Sequence, residues 1–252
     1  MDWRPVALAM AVALAGCGAI VGGGPGPDSR TASQTLTPAP IPAVTATPVP
    51  LPPGVTGDGV RDPEALFGAH QSFLEGKSYT LRTRVRIGET SVRRLIRQET
   101  PDRYYTHDSQ PGPRGNVTQF AANGSTYVRS AFAGVVRYDR LDAVQRPNSQ
   151  TVEQSVAFFR PERVRVARAT VDGRPAFEIT GVNLDYPDAP GVRNYTLRAV
   201  VEPSGFIRSL DVSYVRTEDG RSVEHSFAYA DVEATTVDRP DWVDREFDDT
   251  GA

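Results

Sequence analysis

Three histidines and a single cysteine are the side chains best suited to nucleophilic, acid–base or metal chemistry, and their spacing does not bring them together. His70, His107 and His225 fall in different expected elements and outside any HExxH-type ligand spacing. His70 and His225 lie on apolar faces, where a satisfied core or rim histidine is the expectation. No GxSxG elbow occurs, and nothing in the sequence favours a triad assembled through space. Gly76-Lys77-Ser78 looks like the end of a phosphate-binding loop, but that loop needs glycine at position 71 and a strand before it. Gln71 stands there and a helix precedes it. Asp238, Asp241, Asp244, Asp248 and Asp249 lack the spacing of a calcium loop and read as a solvated tail. No catalytic residue, metal ligand or cofactor is assigned. Asn116, Asn123 and Asn194 each open an N-x-Ser/Thr triplet, which marks an acceptor for glycosylation in an exported chain.

The cysteine has a different chemistry. A lone thiol excludes an internal disulfide and a cysteine-rich metal site. Arg4 is followed by an unbroken apolar run from Val6 to Ala15, too short to span a bilayer and the length of a signal-peptide core. Leu14-Ala15-Gly16-Cys17 then resembles a lipobox, at which a lipoprotein precursor is alkylated on its cysteine and cleaved just before it. With no twin-arginine pair, a general secretory route is expected. No later apolar run is long enough to span.

The elements that follow position the rest. From Pro25 to Pro53 the chain holds nine prolines among Thr, Ala, Val and Gly, a composition that cannot bury enough apolar surface to offset its ordering entropy. At about 3.1 Å per residue a polyproline II spacer of that length reaches roughly 90 Å. Asp62-Pro63-Glu64 opens a helix with a side-chain acceptor, a proline at the first position and an acid at the positive end of the dipole. Leu66, Ala69, His70, Phe73 and Leu74 give it one apolar face, and Gly76 ends it.

From Tyr79 the period becomes two, with Tyr79, Leu81, Val85 and Ile87 alternating with Thr80, Arg82, Arg84 and Arg86. Gly88-Glu89 turns this strand into a second through Val92, Leu95 and Ile96, where broken alternation around Arg93-Arg94 suggests a bulge. Further strands are expected at 103–107, 117–121, 125–131 and 135–138, with Asn123-Gly124 a hairpin turn. Thr151 and Gln154 match a capping box for a second helix to Arg160, ended by Pro161. Strands joined at Asp172-Gly173, Glu202-Pro203-Ser204-Gly205 and Asp219-Gly220 complete the chain. Charge is uneven: residues 77 to 137 carry eleven basic and four acidic residues, whereas 138 to 252 carry fourteen and twenty-one. Solvated strand faces account for the first excess, and a basic sheet face near anionic lipid headgroups is the functional reading. The net charge of −3 gives no footprint for nucleic acid.

With these pieces placed, the chain resembles an uncharacterised family of haloarchaeal lipoproteins. The likeness rests on the lipobox, on Thr35-Leu36-Thr37-Pro38-Ala39-Pro40, and on Pro52-Pro53-Gly54-Val55 leading into Asp62-Pro63-Glu64-Ala65-Leu66. It continues in Ala69-His70, Ser78-Tyr79-Thr80-Leu81 and Arg239-Pro240-Asp241-Trp242. In the order of its elements it is similar to lipoprotein carriers of the LolA, LolB and LppX type. That likeness implies an α+β fold, a curved antiparallel sheet or half-barrel wrapped around two or more short helices, with an apolar cavity for acyl chains. Leu81, Val85, Phe177, Ile179, Leu197, Phe206, Leu210 and Phe227 would line it. The alternative is that they interlock with Leu66, Phe73, Val156 and Phe159 as a dry core.

The expected organisation is a signal peptide over 1–16, a lipidated N-terminus and linker over 17–57, a β-rich domain over 58–247 and a tail over 248–252. The expected function is that of a non-catalytic lipoprotein on the extracellular face of the cell membrane. Its partners are that membrane, through Cys17, and a lipid or other hydrophobic small molecule. The alternative is a structural or adhesive envelope lipoprotein without ligand, and an enzyme ranks third.

Overall fold

The computed structural model describes residues 48–111, 115–145, 154–159, 164–184 and 191–248. Cys17, the signal run, most of the proline-rich segment, the capping residue Thr151, the terminator Pro161 and Asp249 lie outside them.

A short hairpin, β1 (Val55–Thr56) with β2 (Gly59–Val60), precedes helix α1 (Pro63–Leu74). The helix starts as its sequence dictates, with the Ala65 amide donating to Asp62 Oδ1 at 2.8 Å. Gly54 holds the entry, since its carbonyl accepts from the Arg61 and Asp62 amides. At its φ of +75° a Cβ would stand 2.0 Å from the Asp62 carbonyl oxygen, so only glycine fits. The packed chain begins before Gly57, for Pro52 is buried and Val55 joins the core.

Eleven strands form one open, curved antiparallel sheet. The first meander is β3 (Tyr79–Ile87), β4 (Thr90–Thr100), β5 (Arg103–Ser109), β6 (Asn116–Ala122), β7 (Ser125–Phe132) and β8 (Val135–Leu141). The second is β9 (Arg165–Val171), β10 (Arg174–Leu184), β11 (Val192–Val201), β12 (Ile207–Arg216) and β13 (Ser222–Ala230). The two join along β3 and β13, with Val223 opposite Ile87 and Ala230 opposite Thr80, which leaves β8 and β9 as the edges. The expected turns close hairpins at Asn123-Gly124 and Asp172-Gly173, all four residues at positive φ. The expected bulge at Arg93-Arg94 is absent from the β3–β4 ladder, which runs unbroken from Tyr79↔Gln98 to Ile87↔Thr90. Both sheet faces offer partners there, so Leu95 and Ile96 point opposite ways without a kink. Of the second expected helix, the described part, Gln154–Phe159, is a 3-10 helix.

The two meanders are covered on opposite faces. Over the second, α1 and the 3-10 helix pack on the face of Leu81, Leu197, Leu210 and Phe227, forming the main core with Leu66, Phe159, Ile179 and Phe206. Gly205, at φ +90°, lets the β11–β12 turn approach α1, because a Cβ there would meet the Ala69 Cβ at 2.5 Å. Over the first meander the opposite face is covered by the chain after β13. Phe120, Ala122 and Tyr127 pack with Val237 and Val243, flanked by Tyr105, Trp242 and Phe247. The segment is strapped down by Arg103, which donates to the Val237 carbonyl at 2.7 and 3.1 Å, and by Glu99, which accepts from the Val237 amide. The run of aspartates is thus not simply a solvated tail. Asp238, Asp241 and Asp244 are exposed, but Val243 between them is fully buried.

Candidate ligand-binding face

Covering the two meanders on opposite faces leaves the middle of the sheet bare on the side away from α1. Two hollows lie there. One, of about 470 Å³, is lined by Arg82, Arg84, Arg93, Leu95, His107 and Ala228 among others. The second, of about 500 Å³, is lined by Arg84, Thr180, Val182, Arg198, Ser213 and Glu224 among others. They share Arg84, Asp211 and Ser226, so they form one trough from β5 to β10. With six strand spacings of about 4.8 Å each, it is roughly 29 Å long.

The registers fix its floor. One row of residues directly opposite one another reads Ser109, Arg93, Arg84, Ser226, Asp211, Arg198 and Thr180 from β5 to β10. The next row reads His107, Leu95, Arg82, Ala228 and Ser209. Half-buried Leu95, exposed Ala228 and the arginine methylenes give the first hollow apolar surface among its charged side chains. His107 is held by a 3.0 Å contact between its Nδ1 and Thr118 Oγ1.

Ion pairs divide the arginines. Arg86 meets Glu224 at 3.5 Å and Arg198 meets Glu178 at 2.6 Å, while Arg94, on the α1 side, makes a two-pronged pair with Asp108 at 2.6 and 2.7 Å. Arg82, Arg84 and Arg93 have no carboxylate partner among the described residues. Arg84 donates to Ser91 Oγ at 3.4 Å.

The eight side chains named from sequence sit mainly elsewhere. Leu81, Phe177, Ile179, Leu197, Phe206, Leu210 and Phe227 are buried and Val85 is half-buried. Phe227 contributes to the first hollow and Leu197 to the second. Leu66 and Phe159 stand in the same core cluster as six of them. Of the sequons, Asn123 sits in an exposed turn and Asn194 is exposed at an irregularity of β11, both at positive φ, while Asn116 lies half-buried within β6.

His70 is a core residue and His225 is half-buried at the second hollow. His70 is 1% exposed, stacks on Phe206 and accepts the Ile207 amide on Nδ1 at 3.2 Å. Burial pulls its pKa down to about 4. His225, against Phe158 and Tyr214, is also lowered by burial. Among the described residues no helix is long and apolar enough to cross a membrane, and no three metal-ligating side chains gather.

From sequence the trough arginines read as a solvated strand face or as a basic face near lipid headgroups, and none is named as a site residue. The signal was there, since a two-residue turn at Gly88-Glu89 puts Ile87 opposite Thr90 and therefore Arg84 opposite Arg93.

Comparison with known proteins gives a family and a few distant likenesses. A crystal structure of MucB in complex with MucA(peri) is 14% identical, with 72% of this chain and 59% of that chain covered and a TM-score of 0.34. A Pseudomonas aeruginosa MucA/MucB complex is 15% identical, with 70% and 59% covered and a TM-score of 0.35. This chain thus spans about three-fifths of those chains. A LolA superfamily protein from Nitrosomonas europaea is 13% identical, with 69% and 96% covered and a TM-score of 0.25. No curated protein matches the chain. The model of a family of unknown function, DUF7537, matches residues 4–246, and the chain belongs to that family.

Proposed function

We propose that the protein is an exported, lipid-anchored, non-catalytic binding protein that holds a lipid or other hydrophobic small molecule against the bare face of its sheet. Cys17 carries the anchor, the proline-rich segment spaces the domain from the outer face of the membrane, and the trough takes the ligand. The carrying observation is the trough itself, a groove in which Leu95, Ala228 and the arginine methylenes offer apolar contact among polar and charged side chains. Leu197 and Phe227 support its floor from the core. Enclosure by a half-barrel wrapped around helices is not needed for this reading.

Binding is tested on the mature chain from residue 17 carrying Cys17→Ser, by native mass spectrometry and by titration with a fluorescent acyl probe. A co-purifying lipid or saturable uptake is expected. Neither would leave the structural or adhesive envelope role, which the dry packing of Leu66 and Phe159 against the sheet also suits. The anchor is tested separately: Cys17→Ser should move the chain from the membrane to the soluble fraction of its own cells, and unchanged membrane retention would remove the lipid from the proposal.

A further inference from the structure

Arg84 and Arg93 stand directly opposite each other on β3 and β4, with Arg82 two residues along β3 on the same face. Like charges so placed repel and cost stability. Two neighbouring arginines on these strands are neutralised, Arg86 by Glu224 and Arg94 by Asp108. The three in the trough are not. Asp211, the acid of their row, stands two strands from Arg84 across Ser226, roughly 10 Å away and about one screening length in physiological salt. An exposed arginine is ordinarily a solvated one. These three differ in converging on one concavity, beside Leu95 and Ala228, with the hydroxyls of Ser109 and Ser226 at either side of the pair.

We infer that the Arg84–Arg93 pair, with Arg82, is an anion site for the headgroup of the trough's ligand, which is therefore an amphiphile with a phosphate or carboxylate head and an apolar chain. The inference rests on the ligand-binding reading above and names its ligand class. Two guanidiniums facing one another accept an oxyanion between their forks, relieving their repulsion and adding charge-assisted hydrogen bonds. The chain of the ligand then lies over Leu95 and Ala228 in the first hollow. A longer one continues past Ser226 toward Val182, which is 69% exposed at the far end of the second.

Calorimetric titration of the mature Cys17→Ser chain tests this with three probes below their micelle concentrations: dodecyl phosphate, a dodecyl glucoside with the same chain and a neutral head, and inorganic phosphate. Dodecyl phosphate is expected to bind about tenfold more tightly than the glucoside, a difference of about 1.4 kcal/mol. Arg84→Gln/Arg93→Gln should erase that difference, bringing dodecyl phosphate to the affinity the same variant has for the glucoside, while Arg84→Lys/Arg93→Lys, which keeps the charge, should restore part of it. Thermal melts of each variant show that the fold is intact. Equal affinity of wild type for both amphiphiles would overturn the anion site and leave the ligand reading standing. No binding of either would overturn both. Inorganic phosphate binding as tightly as dodecyl phosphate, and lost in the glutamine variant, would keep the anion site and overturn the amphiphile as its occupant.

Discussion

The two meanders of the sheet solve the same problem in opposite ways. The second buries its apolar face under α1, a helix preceding it in sequence, with aromatic rings from His70, Phe73, Phe206 and Tyr229 meeting at 4.4 to 5.7 Å. The first buries its other face under a strap that follows the last strand and ends in short helical turns at Asp241–Val243 and Asp244–Asp248. Fewer side chains take part, and much of the attachment is polar: Arg103 and Glu99 on the Val237 backbone, and Arg239 5.5 Å from the Tyr127 ring. At the seam Thr80 changes sides with the cover, its hydroxyl 3.0 Å from that of Thr235 at the start of the strap. The difference teaches where the bare face comes from. A sheet covered on one side throughout would offer one open face, but a change of cover at β3 and β13 leaves a bounded trough beside the strap.

If the helix-covered core carries most of the stability, Phe206→Ala is the change to make first. The ring is 2% exposed, stacks on Phe73 and His70, and lies under α1. Its loss should cost about 3–5 kcal/mol in urea unfolding. A cost near that of a surface substitution would mean that the weight lies in the other half.

The same core should make the fold acid-sensitive. Burial holds His70 at a pKa of about 4 in the folded chain, against 6.5 when exposed. The unfolded chain therefore takes up a proton first as pH falls. The stabilisation is fully present above pH 6.5 and is lost progressively down to about pH 4, amounting to about 3 kcal/mol. His225, lowered in the same direction, adds to it. His70→Asn, which keeps an acceptor for the Ile207 amide, should flatten the stability profile between those pH values. An unchanged slope would show that the acid sensitivity comes from elsewhere.

These two regions were also unequally legible in sequence. Asp62-Pro63-Glu64 and the 3.6 period of Leu66, His70 and Phe73 announce α1, and strict alternation in β3 and β13 names the face it meets. Residues 103–132 are harder, since Tyr104 and Ala121 are buried on one face and Phe120 and Tyr127 on the other. Alternation there tells strand from helix but not inside from outside. The strap is hidden by its aspartates, whose charge masks Val237, Trp242 and Val243. The trough is a property of pairing: each arginine reads as an ordinary polar position until the β3–β4 register sets Arg84 against Arg93.

Starting the chain at Gly57 instead of Thr47 should cost about 2–3 kcal/mol. It removes Val55, which is 7% exposed, and the Gly54 carbonyl that caps the approach to α1. Starting at Thr47 should leave the melting temperature of the mature chain unchanged. If the Gly57 chain melts at that temperature too, β1 contributes nothing and the whole of 17–57 is spacer.

The smallest change reads the strap directly. Val243 is fully buried against Phe120 and Tyr127, near the end of a segment whose aspartates are exposed. Val243→Ala removes two methyl groups' worth of burial, about 2 kcal/mol with the cavity it leaves. A uniform core would spread that loss over the sheet. Two covers on opposite faces, meeting at the seam of β3 and β13, should instead let the strap open by itself. Hydrogen exchange should therefore quicken by about thirtyfold at the Val237 and Val243 amides, bonded to Glu99 and the Pro240 carbonyl, while amides in the β12–β13 ladder keep their wild-type protection. Equal acceleration in both places would mean that the halves unfold as one unit, and that the trough cannot widen by release of the strap alone.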